Sequence, residues 1–430
     1  MYKKTVLPNG IKVLTEEINE FKSASIGVWV HTGPKYETAR NMGVSHFIEH
    51  MLFKGTTNHS AFEIAEIMDS VGGHMNAFTE KEQTCFYVRV MDKHIDMSLN
   101  MLADMFMNSL FDPKEIERER GVILEEIRMY EDAPDDVVFE EFNRTLWADH
   151  PLACPTLGTI DIISKMSRDD FMEYMKDTYT PDNVYVAAAG HLKHEDIVAL
   201  AEQNFGKLQG KVNLPRTTLP EFYSRNKLRY KDCEQAYICM GSKGLPQMDE
   251  NKYVFYVLDA ILGGSMSSRL FQEIREKRGL VYTVSTFTNS YVDTAQFGIY
   301  ACTSVENLNE VVKLSNGILD DICENGVTEK EVIRSKEHIK GGISLALEST
   351  SNRMIRLNKS EMYYGRLIPI EEVIKKVDAV TLEDVNNLAK DLLDRRKFSA
   401  TVLGPIKETL SDIPGEWTVS IAEEEAVGKN

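Results

Sequence analysis

The 430-residue chain contains no apolar stretch approaching the roughly 20 residues that a membrane-spanning helix needs, so no membrane span is expected. It is also short of positive charge. Its 49 Lys and Arg face 67 Asp and Glu, a net charge of −18, which argues against nucleic acid as a partner. An acidic balance of this size reads as a solvated exterior and is compatible with attracting basic peptides. Cysteine is scarce: six residues, at 85, 154, 233, 239, 302 and 323, with no Cys-x-x-Cys pair. They read as buried thiols and form neither a disulfide framework nor a metal knuckle. The opening residues, MYKKTVLPNGIKVLTEE, lack the apolar core and small-residue cleavage site of a signal peptide. A cytoplasmic location is the resulting expectation. The hydrophobic content of 43% is ordinary for a globular chain, and the length points to two domains or more.

The most specific pattern is His46-Phe47-Ile48-Glu49-His50, within NMGVSHFIEHMLFKGT. It has the His-x-x-Glu-His form of an inverted zinc-protease signature. On a helix, residues four apart share one face, so His46 and His50 can both reach one tetrahedral Zn²⁺ at about 2.0–2.1 Å. Glu49 points to the same side, placed to take a proton from a metal-bound water. Apolar Phe47, Ile48, Met51, Leu52 and Phe53 would pack the helix, with Gly43 near its start and Gly55 at its end. Without a ligand, two His and a Glu inside so apolar a run would bear an uncompensated desolvation cost.

Taken in order, the chain predicts a hairpin over 3–15, a strand over 24–32, the His46–His50 helix, and a short helix over 61–70. A two-stranded stretch follows, then helices from 94 to 108 and 114 to 131. Further helices are expected near 135–148, 168–177 and 194–205, with a strand at 184–190. The pattern then repeats. Ser45 of the motif helix falls over Phe255, Asp112 over Thr328, Ser167 over Thr381 and Gly190 over Gly404, with offsets between 210 and 216. The expected fold is therefore α+β, made of two homologous domains from an internal duplication, each a mostly antiparallel sheet packed against helices. Residues 1–210 would form the metal-binding domain. Residues 211–228, polar and holding Pro215 and Pro220, would be a linker, and 229–430 the second domain.

The second copy serves as an internal control. His46 falls on Tyr256, Glu49 on Asp259, His50 on Ala260 and Glu126 on Gly342, while the apolar positions persist. Core packing therefore does not require the polar residues, and only the first copy can hold a metal. Catalytic zinc takes three protein ligands. The carboxylate-rich helix over 114–131 offers Glu119 and Glu126, seven apart and facing the same way, whereas Glu125 points about 100° from Glu126.

These stretches resemble the inverted-zincin peptidases related to insulysin, pitrilysin and the mitochondrial processing peptidases, and most of all their short bacterial members. The resemblance rests on His46–His50, on Glu117-Arg118-Glu119-Arg120 running into Val122-Ile123-Leu124-Glu125-Glu126, and on Gly73-His74-Met75-Asn76-Ala77-Phe78-Thr79. In the second half it rests on Ser268-Arg269-Leu270-Phe271 and on Arg275 through Tyr282. It implies Glu126 as third ligand of one Zn²⁺ per chain, Glu119 as the carboxylate orienting a ligand imidazole, and Glu49 as general base. It also implies Arg275 and Tyr282 as donors to the substrate carbonyl and the developing oxyanion. Asn76, Ala77 and Phe78 would be the edge on which an extended peptide pairs. From the residues alone, Arg275 reads equally as a surface charge in REKR, and 76–78 as an ordinary central strand.

The resemblance implies a zinc endopeptidase acting on peptides or unfolded segments in an enclosed chamber. Relatives of the insulysin type carry four such domains where this chain carries two, so a homodimer with composite active sites is the simplest assembly. The competing expectation is a non-catalytic structural or peptide-binding subunit of a heteromeric complex. A metal-binding set retained in one copy only speaks against it.

Overall fold

A computed structural model of the chain describes residues 1–215, 217–222 and 224–420. Strands Tyr2–Val6 (β1) and Lys12–Glu17 (β2) form the expected hairpin, turning at Gly10 with φ 109°. Strands Ser23–Val30 (β3), His74–Glu80 (β4), Gln83–Met91 (β5) and Val184–Gly190 (β6) complete a six-stranded sheet ordered β1-β2-β6-β3-β5-β4. Only β2 and β6 run parallel; the other neighbours are antiparallel. β3 and β6 are buried over nearly their whole length, which explains why both read as continuous apolar runs.

The helices of this half are Val44–Leu52 (α1), Ala61–Ser70 (α2), Ile95–Asn108 (α3), Pro113–Asp132 (α4) and Pro134–Trp147 (α5). After them come the single turn Ile160–Ile163 (α6), Arg168–Thr178 (α7) and His194–Phe205 (α8). Side chains of α1, α3, α4, α7 and α8 share one apolar core with the sheet, including Phe47, Leu102, Ile123, Phe171 and Ile197.

The second sheet is built from Asn226–Tyr230 (β7), Ala236–Lys243 (β8), Val281–Ser290 (β9), Ala295–Thr303 (β10), Ser399–Gly404 (β11) and Trp417–Ser420 (β12), ordered β12-β7-β11-β8-β10-β9. Strands β7 to β11 take the places of β2 to β6, which makes the duplication a fact of topology: two mixed α/β domains of one design. The sixth strand differs in origin. β1 precedes its sheet and is antiparallel to β2, while β12 follows its sheet and is parallel to β7. The helices here are Lys252–Leu262 (α9), Leu308–Asn325 (α10), Glu329–Ala346 (α11), Thr350–Tyr364 (α12), Ile370–Ala379 (α13) and Leu382–Leu392 (α14).

The compact units are not the two continuous stretches expected from the sequence. One contains Met1–Arg128, Cys154–Thr217 and Ser344–Ile368; the other contains Met129–Ala153, Thr218–Ile343 and the described residues from Pro369 onward. Each half lends one helix. α5 buries Val138, Phe142 and Trp147 against Cys239 and Leu403 of the second sheet. α12 buries Met354 and Leu357 against Leu14, Trp29 and Ala187 of the first. The physical cause is the sheet face that a unit's other helices leave bare. The expected linker 211–228 is also shorter than its bounds, because β7 begins at Asn226. Residues 216, 223 and 421–430, part of the expected linker and second domain, lie outside the described residues. All six cysteines are free thiols, and no helix among the described residues is long and apolar enough to cross a membrane.

Candidate metal centre

α1 is fixed at its start by two devices. Gly43 has φ 89°, and a Cβ there would sit 2.7 Å from the Leu157 carbonyl oxygen, so the turn into the helix requires glycine. The Glu37 carboxylate accepts the N–H groups of Gly43 (2.7 Å) and Ser45 (2.9 Å), placing negative charge at the helix N-terminus. Val44, Phe47, Ile48, Met51 and Leu52 are buried, which turns His46 and His50 to one face with ring centroids 4.6 Å apart.

α4 presents its carboxylates by the same logic. Ile116, Ile123 and Ile127 are buried, carrying Glu119 and Glu126 toward α1, whereas Glu125 is exposed and pairs with Arg128. Glu126 Oε2 lies 3.8 Å from His46 Nε2 and 3.6 Å from His50 Nε2. Among the described residues, these three are the only group of His, Cys, Asp and Glu with ligand atoms all within 4.8 Å of one another. Donors about 2.0–2.1 Å from a tetrahedral zinc stand about 3.3–3.4 Å apart, so the set fits such an ion with small adjustments.

The protonation chemistry suits the same ion. Burial, with the neighbouring His50 as a lesser cause, holds His46 down to about 3, so its imidazole is neutral, the form that binds metal. Its buried Nδ1 has no hydrogen-bond partner among the described residues. His50 Nδ1 instead meets Glu119 Oε2 at 3.1 Å, which leaves Nε2 facing Glu126. Glu119 is 3% exposed, and its other oxygen, Oε1, lies 2.7 Å from Lys54 Nζ. Burial raises the pKa of Glu126, and His50 opposes that shift.

Burial is also the main cause raising Glu49, opposed first by a hydrogen bond that Thr79 Oγ1 donates to Glu49 Oε2. Thr79 lies on β4, which among the described residues pairs only with β5 and forms an outer edge of its sheet. Asn76, Ala77 and Phe78 thus stand on an edge strand. The Ala77 N–H donates to its neighbour's Asn76 Oδ1 at 2.8 Å, and Phe78 packs edge-on against Trp29.

The other unit carries Arg275 in a π-helical segment, Phe271–Glu276, a form of turn often found at functional sites. Its guanidinium lies 4.8 Å from the Phe271 ring centroid and 5.7 Å from that of Tyr282. Tyr282, on β9, is 77% exposed. Two polar contacts escaped the sequence. Lys54 follows His50 by four residues, a helical spacing, although α1 ends at Leu52. Thr79 shares the strand parity of Met75 and Ala77, and a hydroxyl in an apolar row is the signal that marks it.

Comparison with known proteins agrees with the fold and the motif. Residues 12–160 match the family model described as insulinase (peptidase family M16), and residues 165–339 match that of the peptidase M16 inactive domain. An uncharacterized zinc protease of Bacillus subtilis, YmxG, is 42% identical over 392 residues, covering 91% of this chain and 96% of that one. An uncharacterized zinc protease of Streptomyces coelicolor is 37% identical over 414 residues, covering 94% and 90%. A solved Pseudomonas fluorescens peptidase M16 inactive domain superposes with a TM-score of 0.88 at 21% identity, covering 95% of this chain and 98% of that one. A protease from Helicobacter pylori gives 0.86 at 21% identity, covering 94% and 99%. The chain belongs to peptidase family M16, a family of zinc metallopeptidases.

Proposed function

We propose that the protein is a zinc endopeptidase that hydrolyses peptides or unfolded protein segments, holding one zinc per chain through His46, His50 and Glu126. The observation that carries this reading is the meeting of His46, His50 and Glu126, one ligand atom of each within 4.8 Å of the others, with both Nε2 atoms facing one carboxylate oxygen at 3.8 and 3.6 Å. A zinc ion there supplies Lewis acidity, which polarises a carbonyl and brings the acidity of water near neutrality. The chain's own residues do the rest. Glu119 fixes the ring of His50, and Glu49 accepts a proton from the attacking water and passes it to the departing amide nitrogen. β4, an edge strand, presents along Asn76, Ala77 and Phe78 the side of its backbone that β5 does not take, where an extended peptide can join as a further strand.

In this reading Arg275 and Tyr282 donate to the substrate carbonyl and to the oxyanion that forms from it. Tyr282's exposure and Arg275's support on two rings favour that role, since both groups are held out for a ligand. The assembly proposed is a cytoplasmic homodimer in which the second domain of one chain completes the site of the other around an enclosed chamber. Metal analysis beside peptide cleavage tests the core of this reading. Wild type is expected to hold one zinc per chain and to cleave an internally quenched peptide. Glu126→Gln is expected to lose both properties, and a Glu126→Gln protein that keeps zinc and activity would overturn the ligand set.

A further inference from the structure

Glu49 is joined to β4 by a single hydrogen bond, from Thr79 Oγ1 to Glu49 Oε2. Side chains alternate along that strand. Met75 and Ala77 pack toward the core that includes α1, whereas Phe78 packs on the opposite face with Trp29. Thr79 has the parity of Met75 and Ala77, so its hydroxyl enters an otherwise apolar row. A valine would fill the same shape, and burial by itself gives no reason for the oxygen. The reason on hand is Glu49. Among the described residues no side chain takes its other oxygen, Oε1.

The hydroxyl is also well anchored. Thr79 pairs with Thr84 beside the tip of the β4–β5 hairpin. That tip is tied at three successive places: Glu80 to Lys359 at 3.1 Å, Glu82 to Lys35 at 2.8 Å and to Tyr363 at 3.2 Å, and Gln83 to Asn358 at 3.0 Å. A glutamate has several rotatable torsions to fix, and here one of its oxygens is fixed by a hydroxyl on a rigid strand.

We propose that Thr79 is the positioning residue for Glu49: its hydroxyl holds Oε2 so that Oε1 alone is presented to the attacking water and the departing nitrogen. β4 is also the strand on which the peptide is proposed to pair. The same hydrogen bond therefore sets the base at a fixed height relative to the substrate backbone. The proposal rests on the reading of this chain as a zinc peptidase with Glu49 as base.

The test uses full-length Thr79→Val and Thr79→Ser beside Glu49→Gln, with an internally quenched peptide that wild type cleaves. Thr79→Val is expected to lower kcat about 10- to 100-fold while KM changes less than about threefold, as loss of a group acting only in the transition state requires. Its zinc content and melting temperature are expected to match wild type. Thr79→Ser, which restores the hydroxyl, is expected to recover most of kcat. Unchanged kcat in Thr79→Val would overturn the proposal, as would a Thr79→Ser as slow as Thr79→Val. Loss of zinc or a lowered melting temperature in Thr79→Val would also overturn it, by assigning the hydroxyl to the fold. The parallel variant separates the two levels. If Glu49→Gln cleaves like wild type, the base assignment itself falls; if it is inactive while Thr79→Val is fully active, only the positioning role falls.

Discussion

His50 Nδ1 and Glu119 Oε2 lie 3.1 Å apart, and the far side of the same carboxylate lies 2.7 Å from Lys54 Nζ. A buried carboxylate between an imidazole and an ammonium orients the ring and keeps its Nε2 turned toward Glu126. Replacing Glu119 by Gln is expected to weaken zinc binding about 10- to 100-fold, because ring orientation and ligand basicity are both lost. Competition with a chromogenic chelator measures this directly. An affinity equal to that of wild type would remove Glu119 from the metal centre.

The exchange of helices makes a second prediction. Leu357 belongs to the second half of the sequence but is 1% exposed against the first sheet. Its truncation to Ala should cost about 2–5 kcal/mol, the range for a buried leucine. The damage should appear in the first sheet: amide exchange over residues 12–17, 23–30 and 184–190, the strands that α12 covers, is expected to accelerate in Leu357→Ala. Faster exchange confined to the second sheet would show that α12 does not support the first.

Much of this architecture was legible in the chain. The helix boundaries around His46–His50 and Glu119–Glu126 were readable because apolar residues recur at helical spacing on one side of each. The duplication was readable because the core positions persist where the metal-competent ones are lost. The exchange of α5 and α12 was not. Val138 and Leu357 announce an apolar helix face, but period alone does not say which sheet that face will cover. Lys54 and Thr79 were missed for a related reason. Their partners, Glu119 and Glu49, lie 65 and 30 residues away, and only the folded chain brings them together.

Gly43 provides a local test of how α1 is set. With φ 89° and a carbonyl oxygen 2.7 Å from the place of a Cβ, Gly43→Ala must both strain the backbone and move the chain around Leu157. Gly72 has φ 63° and open space, so Gly72→Ala bears only the left-handed penalty of roughly 1–2 kcal/mol. Urea unfolding is expected to show Gly43→Ala clearly the less stable of the two. Equal losses would mean that the close approach to Leu157 does not shape the start of the helix.

His31 makes a pH-dependent contribution to stability. Burial holds it down to about 4, with the nearby Lys12 adding to that effect and the Asn358 hydrogen bond opposing it; the ring also stacks on Tyr185. Between its ordinary value near 6.5 and about 4, the unfolded chain binds a proton that the folded chain excludes. Stability should therefore fall as pH drops through that window and level off below it, with up to about 3 kcal/mol from this one group. Urea unfolding of metal-free wild type and His31→Phe at both ends of the window measures the difference. The variant should lose less stability on acidification, and an identical loss in both proteins would contradict the assignment.

The most direct measurement of the central claim is the zinc content and peptide cleavage of Glu49→Gln, determined on the same preparation. The account expects one zinc per chain, as in wild type, with cleavage of the quenched peptide reduced to background. A zinc-loaded Glu49→Gln protein that cleaves at the wild-type rate would contradict it.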